Sequence, residues 1–148
     1  MHELVTAAQL INEARGLVGV PWIHQGRGMK GVDCIGFISL AFHRAGIDLP
    51  VILGVKDRRD YTRDPSPALV MLVEKHCERV SAPVPGSLIL FQFNTEAHPR
   101  HFAIYTYDRT IIHACAKHGS VIEHGYRGHW VRWTNSIWRL PAVSYDIP

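Results

Sequence analysis

The stretch GVDCIGF, residues 31–37, sets Cys34 directly after an aspartate and at the head of an apolar run. Aspartate is a favoured helix N-cap, so Asp33 puts Cys34 in the first turn of a helix. Unpaired backbone N–H groups and the positive end of the helix dipole meet there, and both favour a thiolate. Glycines at 26, 28, 31 and 36 leave the nearby backbone little side-chain bulk, room for a substrate to approach. The competing reading is a small core hydrophobe, because free cysteines are among the most buried residue types.

A nucleophilic thiol needs a base within hydrogen-bond reach and a third group to orient that base. His101 in HFAIYT and His113 in IIHACA are the candidates. On an extended strand His101, Ala103 and Tyr105 share a face, as do Ile111, His113 and Cys115. A two-residue turn at Asp108-Arg109 would place Ile104 across from His113 and turn the histidines to opposite faces. A three- or five-residue loop centred on Tyr107 puts His101 directly across from His113, with Cβ atoms about 5 Å apart. Asp-Arg lacks the glycine that primed two-residue turns favour, so the odd-length loop is expected. Cys115 shares the face of His113 but has no base of its own, and Cys77 continues an apolar helical face. His98 sits in a loop beside Pro99. His24, His118, His124 and His129 fall in turn-like stretches, with His24 near enough to the cysteine loop to line a pocket.

The elements that must hold these groups can be read from periodicity. Leu4, Ala7, Ala8, Ile11 and Ala14 form one face of a helix over 4–16, ended by Gly16, Gly19 and Pro21. A glycine-rich loop, VPWIHQGRGMKG, leads to a second helix over 33–46 whose Ile35, Ile38, Phe42 and Ala45 make a buried stripe. Residues 47–65 read as irregular. Ser66 and Pro67 open a third helix that runs to Val80. Short strands follow at about 87–93, 101–107, 110–116 and 120–124, with a last one near 136–140 beside Trp130, Trp133 and Trp138. Helices first and strands afterwards predict an α+β fold, N-terminal helices packed on a central antiparallel sheet.

The totals narrow the function classes. A chain of 148 residues, 47% hydrophobic and 20% charged, fits one globular domain over 1–148. Net charge is +3 with scattered basic residues, so no nucleic-acid arm is indicated. Three widely spaced cysteines with no C-x-x-C suggest neither a zinc ribbon nor a disulfide framework. Ten histidines raise the possibility of a metal site, yet no HExxH occurs and His98 with His101 is the nearest pair. No metal or cofactor is expected. No apolar run approaches the ~18 residues of a membrane span, and the N-terminus reads as a helix, not as a signal peptide.

The order Cys, His, His resembles the NlpC family of papain-like cell-wall cysteine peptidases. The stretches that carry the resemblance are DCIGF at 33–37, PGSLILF at 85–91, HFAIYT at 101–106 and IIHA at 111–114. GVPWIHQGRGMKGVDCIGF, DYTRDPSP at 60–67 and the closing IWRLP are most similar to its bacteriophage tail-associated branch. The resemblance implies a papain-like NlpC fold with Cys34 as nucleophile, His101 as general base and later acid, and His113 orienting His101. It implies substrate binding by Asp33, Trp22, His24 and Tyr61, on a peptidoglycan stem peptide cut between D-glutamate and the diamino acid. It further implies phage tail-tip or hub proteins as partners, and a place in the virion tail. The protein would be made in the bacterial cytoplasm without a signal peptide and act in the host cell envelope. Ile35 stands where the family has serine, and Trp22 where it has a tyrosine that could also accept a hydrogen bond. Both departures also fit an alternative: an inactive tail-tip or hub protein that keeps the fold for structure.

Overall fold

The structure is a computed structural model that describes residues 4–49 and 65–145. Most of the stretch expected to be irregular, Tyr61 included, lies outside those residues. In chain order come β1 (Val5–Thr6), α1 (Ala7–Arg15), β2 (Arg27–Gly28), β3 (Gly31–Val32) and α2 (Cys34–Arg44). After them come α3 (Pro65–His76), β4 (Glu78–Val80), β5 (Leu88–Phe91), β6 (His101–Tyr105), β7 (Thr110–Cys115) and β8 (Ser120–Gly125). The short helix α4 (His129–Arg132), β9 (Thr134–Arg139) and β10 (Val143–Ser144) complete the described elements.

Six strands form one antiparallel sheet in the order β4-β9-β5-β6-β7-β8. Alternate side chains of each strand point to opposite faces. One face buries Leu88, Leu90, Phe102, Ile104, Ile112 and Trp138 against α1, α2 and α3. The other buries Ile89, Phe91, Ala103, Ile111 and Ile137 under Phe93, Tyr126, Trp130 and Trp133. Both faces are covered, which is why LILF reads as unbroken apolar sequence. The three tryptophans expected to cluster are therefore split: Trp130 and Trp133 lie on one face of the sheet and Trp138 on the other.

The expected helices are present with shifted ends. Thr6 caps α1 by accepting the Gln9 N–H, and Gln9 returns a bond to the Thr6 N–H. Residues 5 and 6 are instead a strand paired in parallel with β10, so Leu4 is exposed and Leu10 takes the buried place expected for Ala8. The third helix starts at Pro65 and stops at His76, because Glu78–Val80 pairs with β9. At the far end of α1, Arg15 grips both oxygens of Glu123 on β8 at 3.0 Å and also bonds Asp108 in the β6–β7 turn. That link ties the first helix to the hairpin that carries both strand histidines.

The hairpin loop has three residues, Tyr107 to Arg109, closed by a Thr106 N–H bond to the Thr110 carbonyl at 3.0 Å. Arg109 takes the left-handed conformation (φ 58°) that such a loop needs at its last position. Thr106 Oγ1 accepts the Asp108 N–H at 3.1 Å and meets Thr110 Oγ1 at 2.6 Å, fixing the loop's centre on Asp108, not Tyr107. The register is Ile104↔Ile112 and Tyr105↔Ile111. Counted on from these pairs, beyond the last one, His113 falls level with Ala103 and His101 level with Cys115. The histidines are thus diagonal neighbours where a direct cross-strand pair was expected. The odd loop length still keeps both on one face.

The glycines beside the cysteine serve packing more than access. A methyl at Gly36 would overlap the Gly26 carbonyl oxygen, and one at Gly26 would overlap the Gly31 carbonyl. A methyl at Gly31 would strike the Ile23 side chain, whereas Gly28 faces open space. The turn of α2 that holds Cys34 is seated on the β2–β3 ribbon through these close backbone approaches. Gly36→Ala is therefore expected to destabilise the fold by about 1–3 kcal/mol through overpacking. Gly28→Ala should stay within about 0.5 kcal/mol. Urea unfolding of the two variants compares them directly.

Candidate active site

Cys34 begins α2, and Asp33 caps it by accepting the Gly36 N–H at 2.7 Å. The sulfur lies against the start of β6. Its S–H donates to the Arg100 carbonyl at 3.6 Å, while the N–H groups of Phe102 and Ile35 point at the sulfur. β6 pairs with β7 through Ile104 and Tyr105, and nearer its start the Arg100 carbonyl and the Phe102 N–H meet the thiol. Cys34 thus touches the backbone on both sides of His101.

His101 and His113 form a ring-to-ring hydrogen bond, Nε2 to Nδ1, at 2.8 Å. Their rings cross almost at right angles, with centroids 4.9 Å apart. The contact spans a diagonal pair of strand positions. His113 is fully buried and bonds a further ring, Nε2 to His124 Nε2 at 2.8 Å. His124 Nδ1 in turn meets the Gly125 carbonyl at 3.0 Å. Trp130 covers the row, with its ring 6.3 Å from His101, 4.7 Å from His113 and 5.0 Å from His124. Among the described residues, no three His, Cys, Asp or Glu side chains are arranged to hold a metal ion.

Cys34, His101 and His113 line one cavity of about 970 Å³. Trp22, His24 and Asp33 line it too, as do Cys115 and the aromatic rings of Phe93, Trp130 and Trp133. Every candidate residue within the described part of the chain therefore reaches this space. Asp33 comes with a partner the sequence reading did not assign: Arg27 donates to its carboxylate at 2.6 Å. Glu96 lines the same cavity, and its Oε2 is buried with no hydrogen-bond partner among the described residues. His124 was also missed. Its stretch reads as the end of a strand next to Gly125, and only the fold shows that β8 runs through it beside β7.

Burial sets the protonation of the site. It holds His101 down at about 4. His113 is held down at about 2, by burial first and then by the neighbouring rings of His101 and His124. The Cys34 thiol moves the other way, up to about 12, through burial and the Asp33 carboxylate. The Phe102 and Ile35 N–H groups and Arg27 favour the thiolate but are outweighed. The lowered thiol pKa expected from the helix start is thus reversed, because burial of the sulfur outweighs an N-terminal dipole. At neutral pH the resting groups are a thiol and neutral imidazoles, a set that can move a proton as bonds form.

The sequence profile of the NlpC/P60 family matches residues 19–139. The chain belongs to the NlpC/P60 family. Its fold is similar to that of an NlpC/P60 family protein from Bacillus cereus, with TM-score 0.67 and 23% identity over 90% of this chain and 39% of that one. It is also similar to the NlpC/P60 domain of the peptidoglycan hydrolase SagA, with TM-score 0.59 and 20% identity over 90% and 98% of the two chains. The peptidoglycan hydrolase RipB of Mycobacterium tuberculosis matches with TM-score 0.58 and 19% identity over 90% and 64%. The chain spans less than half the length of the Bacillus cereus protein. No curated protein sequence matches it. These likenesses are of fold, and they agree with the mixed helix and antiparallel-sheet architecture.

The buried histidines of this NlpC/P60 domain make its stability depend on pH. Both rings have native pKa values below the ordinary 6.5, so well above pH 6.5 neither state binds their protons and the native state bears no penalty. As pH falls below 6.5 the unfolded chain takes up two protons that the native rings refuse, and stability is lost. Between pH 6 and 5 the loss should approach the slope of two protons per molecule, about 3 kcal/mol per pH unit. Urea midpoints measured across this window should fall accordingly, and His101→Phe should roughly halve the slope. A slope unchanged by that substitution contradicts the burial of a neutral His101.

Proposed function

We propose that this chain is a cysteine peptidase that hydrolyses peptidoglycan stem peptides, acting at the bond between D-glutamate and the diamino acid. The observation that carries the reading is Cys34 and the bonded His101–His113 pair together on the wall of one cavity. The names of the SagA and RipB neighbours, both peptidoglycan hydrolases, support the substrate class.

The chemistry follows from which atoms remain available. His101 Nε2 is committed to His113, so its Nδ1 is the nitrogen that takes the thiol proton. As that proton leaves, Cys34 Sγ attacks the amide carbonyl carbon and the oxygen becomes an oxyanion. The first-turn N–H of Cys34 has no intrahelical partner and donates to it. Trp22 and His24, which line the same cavity, are the candidates for the second donor. The C–N bond then breaks, and His101 returns the proton to the leaving amine. Water attacks the resulting thioester, with His101 again taking its proton. Acid product leaves and the thiol is restored. His113 holds the His101 ring through both steps.

A stem peptide with a free amine meets two carboxylates in this cavity. Asp33 already accepts from Arg27 and Gly36, whereas Glu96 offers an oxygen with no partner among the described residues. Tyr61 joins the substrate-binding set on the family resemblance alone. The tail-tip placement rests on the motifs around Trp22, Ile35 and IWRLP, which resemble the phage tail-associated branch. On this reading the protein acts from a virion tail on the host cell envelope.

A second reading is a tail-tip or hub protein that keeps the fold without turnover. The protonated, buried Cys34 and the pairing of Asp33 with Arg27 favour it. Digestion of purified peptidoglycan by the wild type and Cys34→Ala, followed by mass analysis, separates the two. Fragments ending at D-glutamate are expected from the wild type alone. Identical profiles would overturn the peptidase. Glu96→Gln should raise KM for an amine-bearing stem peptide about tenfold with kcat held, the loss of one charge-assisted hydrogen bond.

A further inference from the structure

The chain of histidines does not end at the residue that orients His101. Gly125 contributes a carbonyl oxygen, which can only accept a hydrogen bond. His124 Nδ1 lies 3.0 Å from it, so Nδ1 carries the proton. A neutral His124 then has its lone pair on Nε2. His113 Nε2 is 2.8 Å from that atom and must supply the proton between them. His113 Nδ1 is thereby left as an acceptor, and His101 Nε2, at 2.8 Å, must donate to it. The result is a lone pair on His101 Nδ1.

We infer that His124 is a positioning residue, anchored on the Gly125 carbonyl, which fixes the tautomers of His113 and His101 and so keeps His101 Nδ1 ready for the Cys34 proton. Three ring-to-acceptor bonds read in one direction, and the backbone sets the direction. His124 touches no part of the cavity, so its action passes through His113. Trp130 packs over all three rings and shields the row from water that could offer an alternative donor or acceptor. Burial keeps His101 and His113 neutral, as the relay requires. The inference rests on His101 being the base of the proposed peptidase, but its geometry is open to a separate test.

That test combines nitrogen-15 NMR of the imidazoles with kinetics of two variants. In the wild type at pH 7, His124 should appear as the Nδ1–H tautomer, and His113 and His101 as Nε2–H. His124→Phe fills the same space without an acceptor. It should release His113 from a single tautomer and lower kcat about 100-fold with KM unchanged, the scale of a misplaced catalytic group. His124→Gln keeps a carbonyl oxygen for the His113 N–H and should recover kcat to within about fivefold of wild type. A wild-type His113 in the Nδ1–H form overturns the relay, as does full kcat in a folded His124→Phe. If the wild type proves inactive on peptidoglycan, the proposed function fails, and the NMR pattern alone still decides whether the relay exists.

Discussion

Everything at this site depends on where β6 parts from β7. Past Ile104 the two strands no longer pair, and the edge of β6 offers the Arg100 carbonyl and the Phe102 N–H to another partner. The start of α2 takes that place with a sulfur. Between the two backbone groups sits His101, whose ring turns toward His113 on the neighbouring strand. On its other side the first turn of α2 is seated by the close approach of Gly36 to the Gly26 carbonyl. The cap at Asp33 then fixes the rotation of the helix, so the sulfur faces the strand.

Electrostatically the reacting groups rest as a thiol and neutral imidazoles, not as an ion pair. Aromatic rings from α4 and the end of β5 close one face of the sheet over the histidines. That cover disfavours an imidazolium, and the burial of Cys34 at the start of β6 disfavours a thiolate. On the proposed peptidase reading, proton transfer from Cys34 to His101 belongs with the attack on a substrate, whose developing oxyanion accepts from the first-turn N–H. Because His113 at the centre of the row is fully buried, the direction of its two ring-to-ring hydrogen bonds matters.

Much of this could be read from residue order alone. Cys34 after a capping aspartate, the two histidines on one face of a hairpin, and helices before strands follow from local chemistry and side-chain alternation. The hairpin register could not be placed so well. It turned on Arg109 adopting a left-handed backbone and on two threonine side chains closing the loop, neither of which periodicity reports. His124 escaped because a histidine beside a glycine looks like a turn until a neighbouring strand is seen to run alongside. The acidity of Cys34 was misjudged for a related reason. A helix start is visible in sequence, whereas burial is a property of the assembled fold. The role expected of Tyr61 lies outside the described residues.

The central claim is that a carbonyl group becomes covalently attached to the Cys34 sulfur. Rapid acid quenching of the protein with a synthetic stem peptide, followed by peptide mapping by mass spectrometry, measures this directly. The account predicts a transient acyl adduct on Cys34, absent after longer incubation and absent from His101→Ala. Release of cleaved peptide with no adduct at any time, or with the adduct on Cys77 or Cys115, would contradict it.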